Sequence, residues 1–175
     1  MLSLDNTKEA VQTFADNVVQ DAKANLIDKK KVSSGELLDS IKSTGIKLTP
    51  RSLEIGITLA NYGGFIDKGV SGTETKYDTP YSYTDKKPPP SAFDGWMVRK
   101  GIAPRDNKGA FLPRKSIQFA LSNWIFKKGI EPSNFLSDAV KKNINQFPLE
   151  IQKKFGLDVK ASINFIIKSN IPKVK

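Results

Sequence analysis

The stretch from Leu53 to Gly72 changes its hydrophobic period half-way along, and this change limits the possible folds. In its first half, apolar residues alternate with polar ones, which gives a β-strand one apolar face. The apolar members of this alternation are Leu53, Ile55, Ile57 and Leu59. In its second half, Tyr62, Phe65 and Ile66 have the i, i+3, i+4 spacing of one helix face. The pattern predicts a strand, then a short helix with Gly69 as its left-handed cap, then a glycine-rich loop.

The N-terminal part of the chain is predicted to supply one long helix and a hairpin. Residues 5–30 repeat apolar side chains at helical spacing, and Lys29–Lys31 suit the negative end of the helix dipole. Pro50 stands where a β-turn needs its second residue, so residues 44–60 are predicted to form a hairpin.

The C-terminal half is predicted to be mainly helical. Helices are expected over residues 91–101 and 113–128, followed by one that starts near Asn134 and by a short piece that ends before Gly156. The last element is ambiguous. Val159–Ile167 alternates as a strand does, but a helix would also place Val159, Ile163, Ile166 and Ile167 together. We favour a strand that joins the hairpin.

These elements indicate an α+β fold, in which a long N-terminal helix packs on a small antiparallel sheet and a helical half follows. The length of 175 residues suits a single domain over residues 1–175. In chain order, the domain is predicted to contain a helix and hairpin core (1–69), an extended loop (70–90), a helical half (91–158), and a last strand with a basic tail (159–175).

The predicted loop over residues 70–90 is long, polar and rich in proline. Loops of this length are often functional, or they become ordered only against a partner. Pro88–Pro90 could be a polyproline ligand or a stiff spacer before the next helix, and we favour the spacer.

Phe119 and Phe126 lie seven residues apart on the predicted helix 113–128, away from its main apolar face. That main face consists of Ile117, Ala120, Leu121, Trp124 and Ile125. The two phenylalanines therefore form a second apolar stripe. Either a later helix of the same chain covers this stripe, or the stripe is a contact between subunits.

The chain contains no cysteine and no histidine. This excludes disulfides, the usual zinc sites, thiol nucleophiles and catalytic triads that need histidine. The glycine pairs match no phosphate-binding loop, and the carboxylates match no calcium loop. We therefore predict a non-enzymatic protein without catalytic residues, metal or cofactor. An enzyme that uses only carboxylates and lysine is the third and least favoured alternative. No apolar run approaches the roughly 18 residues of a membrane span, and no signal peptide is recognisable, so we expect no membrane contact.

The formal net charge of +10 is unevenly distributed. Residues 86–128 carry ten basic and two acidic side chains. Within this range a basic cluster surrounds two predicted helix ends: Arg99, Lys100, Arg105, Lys108, Arg114 and Lys115. Such a surface could bind nucleic acid, or it could simply be solvated. A small basic nucleic-acid-binding protein is accordingly the alternative function.

The order of the motifs resembles a phage tail-component family, the head–tail joining and tail-completion proteins. The resemblance lies first in Ser34–Ile41 (SGELLDSI) and Ala60–Gly69 (ANYGGFIDKG), which follow a long helix and flank a hairpin. It continues in Trp96–Ile102 and in Ile117–Gly129, with Pro132, Phe135, Leu136 and Ala139 after it. It covers roughly residues 5–140. The sequence departs from the family at Asn61–Gly64, where alanine is usual, and in its long loop and basic C-terminus.

The resemblance implies a virion structural protein, made in the cytoplasm of the host bacterium. Such proteins form rings at the head–tail connector, contact portal or tail proteins, and let DNA pass without reading its sequence. The candidate interface residues on this reading are Tyr62, Phe65, Gly69, Gly72, Phe119 and Phe126.

Overall fold

A computed structural model describes residues 3–49 and 52–170, and their side chains as far as residue 166. Seven α-helices and six short strands form within this part of the chain. The helices are α1 (Asp5–Asp28), α2 (Glu36–Ser40), α3 (Gly63–Lys68), α4 (Asp94–Arg99), α5 (Arg114–Lys128), α6 (Phe135–Ile144) and α7 (Phe147–Asn170). The strands are β1 (Lys42–Ser43), β2 (Lys47–Leu48), β3 (Leu53–Glu54), β4 (Ile57–Thr58), β5 (Val70–Ser71) and β6 (Gly129–Ile130).

The predicted α+β class is confirmed, with its long N-terminal helix and its helical C-terminal half. The strands make three separate antiparallel pairs, β1 with β4, β2 with β3, and β5 with β6. Among the described residues, no helix is both long enough and apolar enough to cross a membrane.

Contacts divide the chain into two compact units, each built from separate stretches of sequence. Unit 1 comprises Met1–Ala24, Ile41–Thr58 and Leu136–Lys175, and unit 2 comprises Asn25–Ser40 and Leu59–Phe135. The single domain predicted from chain length stays a prediction.

Unit 1 forms around the first part of α1, whose apolar side chains are buried. Val11, Ala15, Val18 and Ala22 are spaced at three or four residues, and each is at most 4% exposed. This spacing places them on one helix face, so their burial explains why α1 forms here. Against α1 lies the start of α7, where the rings of Phe14 and Phe147 are 4.4 Å apart.

The predicted hairpin over residues 44–60 is confirmed, but its pairing is interrupted in the middle. β2 pairs with β3, with Leu48 opposite Leu53, and β1 pairs with β4, with Ser43 opposite Ile57. Between the two pairs, the Gly56 N–H donates to the Thr44 hydroxyl over 2.7 Å. The predicted turn at Pro50 lies outside the described residues.

Polar contacts join the hairpin to α1 within unit 1. The Ser43 hydroxyl donates to the Asp16 carboxylate over 2.8 Å, and the Gln12 amide donates to both residues. The predicted packing of the N-terminal helix on the small sheet is therefore present.

The predicted strand over Val159–Ile167 is wrong, because these residues belong to helix α7. The same apolar residues satisfy a helical spacing, and α7 continues through Gly156, where the sequence predicts an end. Pro148 lies in the first turn of α7, a position that tolerates proline because its missing N–H needs no partner there. The predicted basic tail after residue 170 lies outside the described residues.

Unit 2 has its own buried centre, formed by the end of α1 together with α2, α4, β5 and the start of α6. Its most buried apolar side chains are Leu26, Leu37, Val70, Met97 and Phe135. The Asn25 amide donates to the Phe135 carbonyl oxygen over 2.8 Å, and the Lys29 ammonium donates to the Ser133 carbonyl oxygen over 2.6 Å. These bonds connect the end of α1 to the start of α6.

Candidate assembly surface

Two helices of unit 2 end at glycines and continue directly into paired strands. Gly69 follows α3 with φ 73° and ψ −179°, and Gly129 follows α5 with φ 77° and ψ −164°. This combination of positive φ and extended ψ is open essentially only to glycine. Gly69 therefore has the predicted positive φ, but it leads into β5 instead of forming a left-handed helix cap.

Close backbone approach is the second reason for glycine at this junction. A Cβ atom on Gly69 would lie 2.5 Å from the Ile130 carbonyl oxygen, and one on Gly72 would overlap the carbonyl oxygen of Lys127. In β5 and β6, Val70 is opposite Ile130 and Ser71 is opposite Gly129. The candidate residues Gly69 and Gly72 are thus required for the pairing of β5 with β6, a structural role within one chain.

The loop predicted over residues 70–90 is bonded to its own unit over much of its length. The Ser71 N–H donates to the Tyr81 carbonyl oxygen over 2.8 Å, and the Tyr83 N–H donates to the Ser71 carbonyl oxygen over 2.9 Å. At the end of α5, the Thr73 N–H donates to the Phe126 carbonyl oxygen over 3.0 Å. The first part of the loop is therefore ordered by backbone hydrogen bonds within the chain.

The carboxylate of Glu74 reinforces the junction between this loop and α5. It lies 2.9 Å from the Lys127 ammonium and 3.5 Å from that of Lys128. The hydrogen bond from Lys127 lowers the pKa of Glu74 below its ordinary value. The two lysines therefore favour the ionised form of Glu74.

A groove of about 590 Å³ lies beside this junction. We call it the aromatic groove. Its lining includes Tyr62, Phe65, Ile66, Val70, Pro80, Tyr81, Tyr83 and Ile130. The rings of Phe65 and Tyr81 meet edge to face with centroids 4.5 Å apart. Tyr62 and Phe65 are still 40% and 42% exposed. The structure thus brings these two candidate residues together on one accessible surface.

The environments of Tyr62 and Tyr83 favour the neutral form of their hydroxyls. Burial raises the pKa of Tyr83, and burial together with the Glu36 carboxylate raises the pKa of Tyr62. Neutral phenols can donate hydrogen bonds while their rings supply apolar contact area, a combination typical of protein interfaces.

Phe119 and Phe126 have different environments, so they do not form one exposed stripe. Phe126 is half-buried, with its ring centroid 6.2 Å from that of Tyr83 and 5.6 Å from the Lys87 ammonium. Phe119 is 52% exposed. An earlier loop covers Phe126, whereas the sequence suggested either a later helix or another subunit. Trp124, predicted for the buried face of α5, is 58% exposed.

Local contacts engage several members of the basic cluster predicted around α4 and α5. The Arg105 guanidinium stacks 3.8 Å from the centre of the Phe111 ring, Arg114 lies 3.7 Å from Asp94, and Arg99 donates to the Ser33 hydroxyl over 3.0 Å. Phe111 is 66% exposed. The cluster is a solvent-facing cationic surface with one exposed aromatic ring.

The described residues contain no group of three or more acidic side chains that could hold a metal ion. Comparison with known proteins finds no family whose model matches this sequence, no similar curated protein and no similar solved structure.

Proposed function

We propose that this chain is a non-enzymatic structural subunit of the head–tail connector of a tailed bacteriophage. In this role it assembles into a ring, contacts portal or tail proteins, and lines a passage for DNA. It is made in the host cytoplasm and then resides in the virion. The proposal rests on the order of sequence motifs and, in the structure, on the exposure of Tyr62 and Phe65 along the aromatic groove.

The aromatic groove has the physical properties of an assembly contact. Interface energy is concentrated in aromatic anchors that lie in rigid surroundings. Here the glycine-dependent β5–β6 junction holds the groove on one side, and the contact between Phe65 and Tyr81 holds it on the other. Little conformational entropy is therefore lost when a partner covers the groove.

Ring formation requires a head-to-tail contact, in which two different surfaces of the same chain meet. The aromatic groove supplies one of these surfaces. The exposed side of α5, which carries Phe119 and Trp124, is a candidate for the other. A closed ring results when a whole number of these rotations completes one full turn without a shift along the axis; otherwise the subunits form an open helix.

The test measures the mass of the assembly for two matched variants. Tyr62→Ser removes an anchor from the groove, and Phe111→Ser removes an exposed aromatic residue outside it. Sedimentation velocity and negative-stain electron microscopy should show rings for wild type and Phe111→Ser, and smaller species for Tyr62→Ser. A wild-type chain that remains monomeric both alone and with the portal and tail proteins of its phage contradicts the proposal.

Nucleic-acid binding is the second candidate, and the stacking of Arg105 on the exposed Phe111 ring favours it. A cation beside an exposed ring offers both phosphate attraction and a surface for base stacking. Titration of single-stranded DNA across a salt series tests this function. Tight binding at physiological salt that Phe111→Ala weakens would favour it. Binding that disappears with moderate salt and ignores Phe111 reflects net charge alone.

A further inference from the structure

A second cavity in unit 2, of about 430 Å³, combines an apolar floor with a cationic rim. We call it the lysine-rimmed pocket. It lies between the end of α1, the segment that leads into α2, and helices α3 and α4. Its apolar lining comprises Leu26, Val32, Leu37, Leu38, Ile66 and Trp96. Leu26 and Leu37 are 1% and 8% exposed, so the floor belongs to the packed centre of unit 2 and is preformed.

Three lysines, Lys30, Lys31 and Lys100, line the same cavity, and no acidic side chain does so. Within the described part of the chain, none of their ammonium groups has a carboxylate within 4 Å. Three other lysines, by contrast, pair with carboxylates: Lys127 with Glu74, Lys142 with Asp21 and Lys154 with Glu9. The rim of this pocket therefore concentrates three cationic side chains without a directly paired carboxylate.

The backbone at Lys30 is held in a conformation that favours glycine. The Lys31 N–H donates to the Leu26 carbonyl oxygen and the Lys30 N–H donates to that of Ile27, each over 3.0 Å. This is the Schellman arrangement that ends a helix, and its usual residue at this position is glycine. Lys30 has φ 54°, so a charged side chain occupies a position where glycine would be less strained. Strain of this kind points to a function for the side chain.

The opposite wall is fixed by a contact between α4 and the segment before α2. The Arg99 guanidinium donates to the Ser33 hydroxyl over 3.0 Å, and Ser33 and Ser34 both line the pocket. Trp96, one turn of α4 before Lys100, presents an indole to the floor beside that lysine. Apolar contact area and positive charge are thus adjacent on both sides of the cavity.

We propose that the lysine-rimmed pocket binds an acidic peptide segment of a different protein, anchored by an apolar side chain. The apolar anchor packs on the floor formed by Leu26, Leu37 and Trp96, while flanking carboxylates pair with Lys30, Lys31 and Lys100. The pocket shares Tyr62 and Ile66 with the aromatic groove, but its three lysines lie outside that groove. Variants of the lysines therefore test this site separately from ring formation.

Charge favours an acidic protein as the occupant. The net charge of +10 attracts an acidic partner at long range, and a second copy of this chain lacks that attraction. Several of its carboxylates are already paired with its own basic side chains, including Asp21, Glu74 and Asp94. An acidic partner therefore complements the three lysines that line the pocket.

The experiment measures fluorescence anisotropy of a labelled peptide in which Phe-Leu is flanked by Asp and Glu. Two matched peptides replace the acidic residues by Lys, or Phe-Leu by Ser-Ser. The acidic apolar peptide should bind saturably, and each matched peptide should bind at least about tenfold more weakly. Equal binding of the Ser-Ser peptide, preference for the Lys peptide, or absence of saturable binding overturns the proposal. Binding to phosphatidylserine vesicles without peptide binding also overturns it.

Variants locate the site on the protein. Lys30→Gly relieves the strained backbone, so it should raise the melting temperature while weakening peptide binding by about two- to fivefold. The triple variant with Lys30→Ala, Lys31→Ala and Lys100→Ala should weaken binding by about tenfold or more. Lys108→Ala removes the same charge from the basic cluster outside the pocket and should leave binding unchanged. If Lys108→Ala weakens binding as much as Lys30→Gly, the peptide does not occupy this pocket. Ring formation by Lys30→Gly reports separately on the connector proposal.

Discussion

Asp158 of α7 accepts two hydrogen bonds from Thr7, a residue 151 positions earlier in the first turn of α1. The Thr7 N–H donates over 2.9 Å and its hydroxyl over 2.6 Å. The Asn6 N–H and side-chain amide donate to the other carboxylate oxygen. Asp158 therefore accepts hydrogen bonds from N–H groups that a helix N-terminus leaves without intrahelical partners. Its negative charge also interacts favourably with the positive end of the α1 dipole.

The first prediction is that Asp158→Asn destabilises the protein. The substitution keeps the size of the side chain but replaces an acceptor oxygen by a donor group that faces the Thr7 and Asn6 donors. The free energy of unfolding should fall by about 2 kcal/mol. Urea denaturation followed by circular dichroism measures it. Asp78→Asn, on the exposed loop, is the matched control and should change stability by less than about 0.5 kcal/mol.

The second prediction concerns the loss of stability in acid. Burial alone would raise the pKa of Asp158, but the hydrogen bonds from Thr7 and Asn6 outweigh it and lower the pKa from 3.8 to about 2. Because the folded-state pKa lies below the unfolded-state value, this group stabilises the fold above pH 3.8 and loses that contribution as the pH falls towards about 2. Unfolding measured across this window should depend less on pH for Asp158→Asn than for wild type. Parallel curves would contradict the assignment.

The third prediction compares a glycine that has no space for a side chain with one that has open space around it. Gly72→Ala places a methyl group onto the Lys127 backbone and should lower the free energy of unfolding by at least about 2 kcal/mol. Gly156 lies inside α7 with no atom near its added Cβ, so Gly156→Ala should raise stability by about 1 kcal/mol. Thermal melts of both variants test the pair. A stable Gly72→Ala variant would contradict the close approach between β5 and α5.

The fourth prediction separates the two phenylalanines that the sequence pairs. Phe126→Ser removes a half-buried ring beneath the 70–90 loop and should destabilise the chain by about 2 kcal/mol. Phe119→Ser removes an exposed ring and should change stability by less than about 0.5 kcal/mol. If the exposed side of α5 is a subunit contact, Phe119→Ser should also reduce assembly size in light scattering. Unfolding of Phe119→Ser would instead assign Phe119 to the core.

The sequence predicts those elements whose apolar residues match only one spacing, either that of a helix or that of a strand. The α1 face and the hairpin alternation each match one period, and both are present. Val159–Ile167 matches two periods at once, and local spacing cannot choose between them. The helix forms as the continuation of α7, which also presents Asp158 to the distant Thr7.

The candidate surfaces can be predicted only in part, because some of the contacts that shape them are made by the backbone and not by side chains. Tyr62 and Phe65 were identified because aromatic spacing marks a helix face. The cover over Phe126 depends on backbone bonds such as that from the Thr73 N–H, which have no side-chain signature. The lysine-rimmed pocket was missed because Lys29–Lys31 also suit the end of a helix dipole. Its one local signal is the absence of glycine where α1 ends.

The discontinuous composition of the two units has a consequence for the order in which the chain folds. Every stretch of unit 2 precedes Leu136, so all of its contacts become available before α7 has been synthesised. The first part of α1 must wait for α7, and such sequence-distant contacts form slowly because a long loop has to close first. During translation the apolar face of α1 from Val11 to Ala22 therefore lacks its α7 contacts while unit 2 can already be complete, and such transiently exposed apolar surface is prone to aggregation.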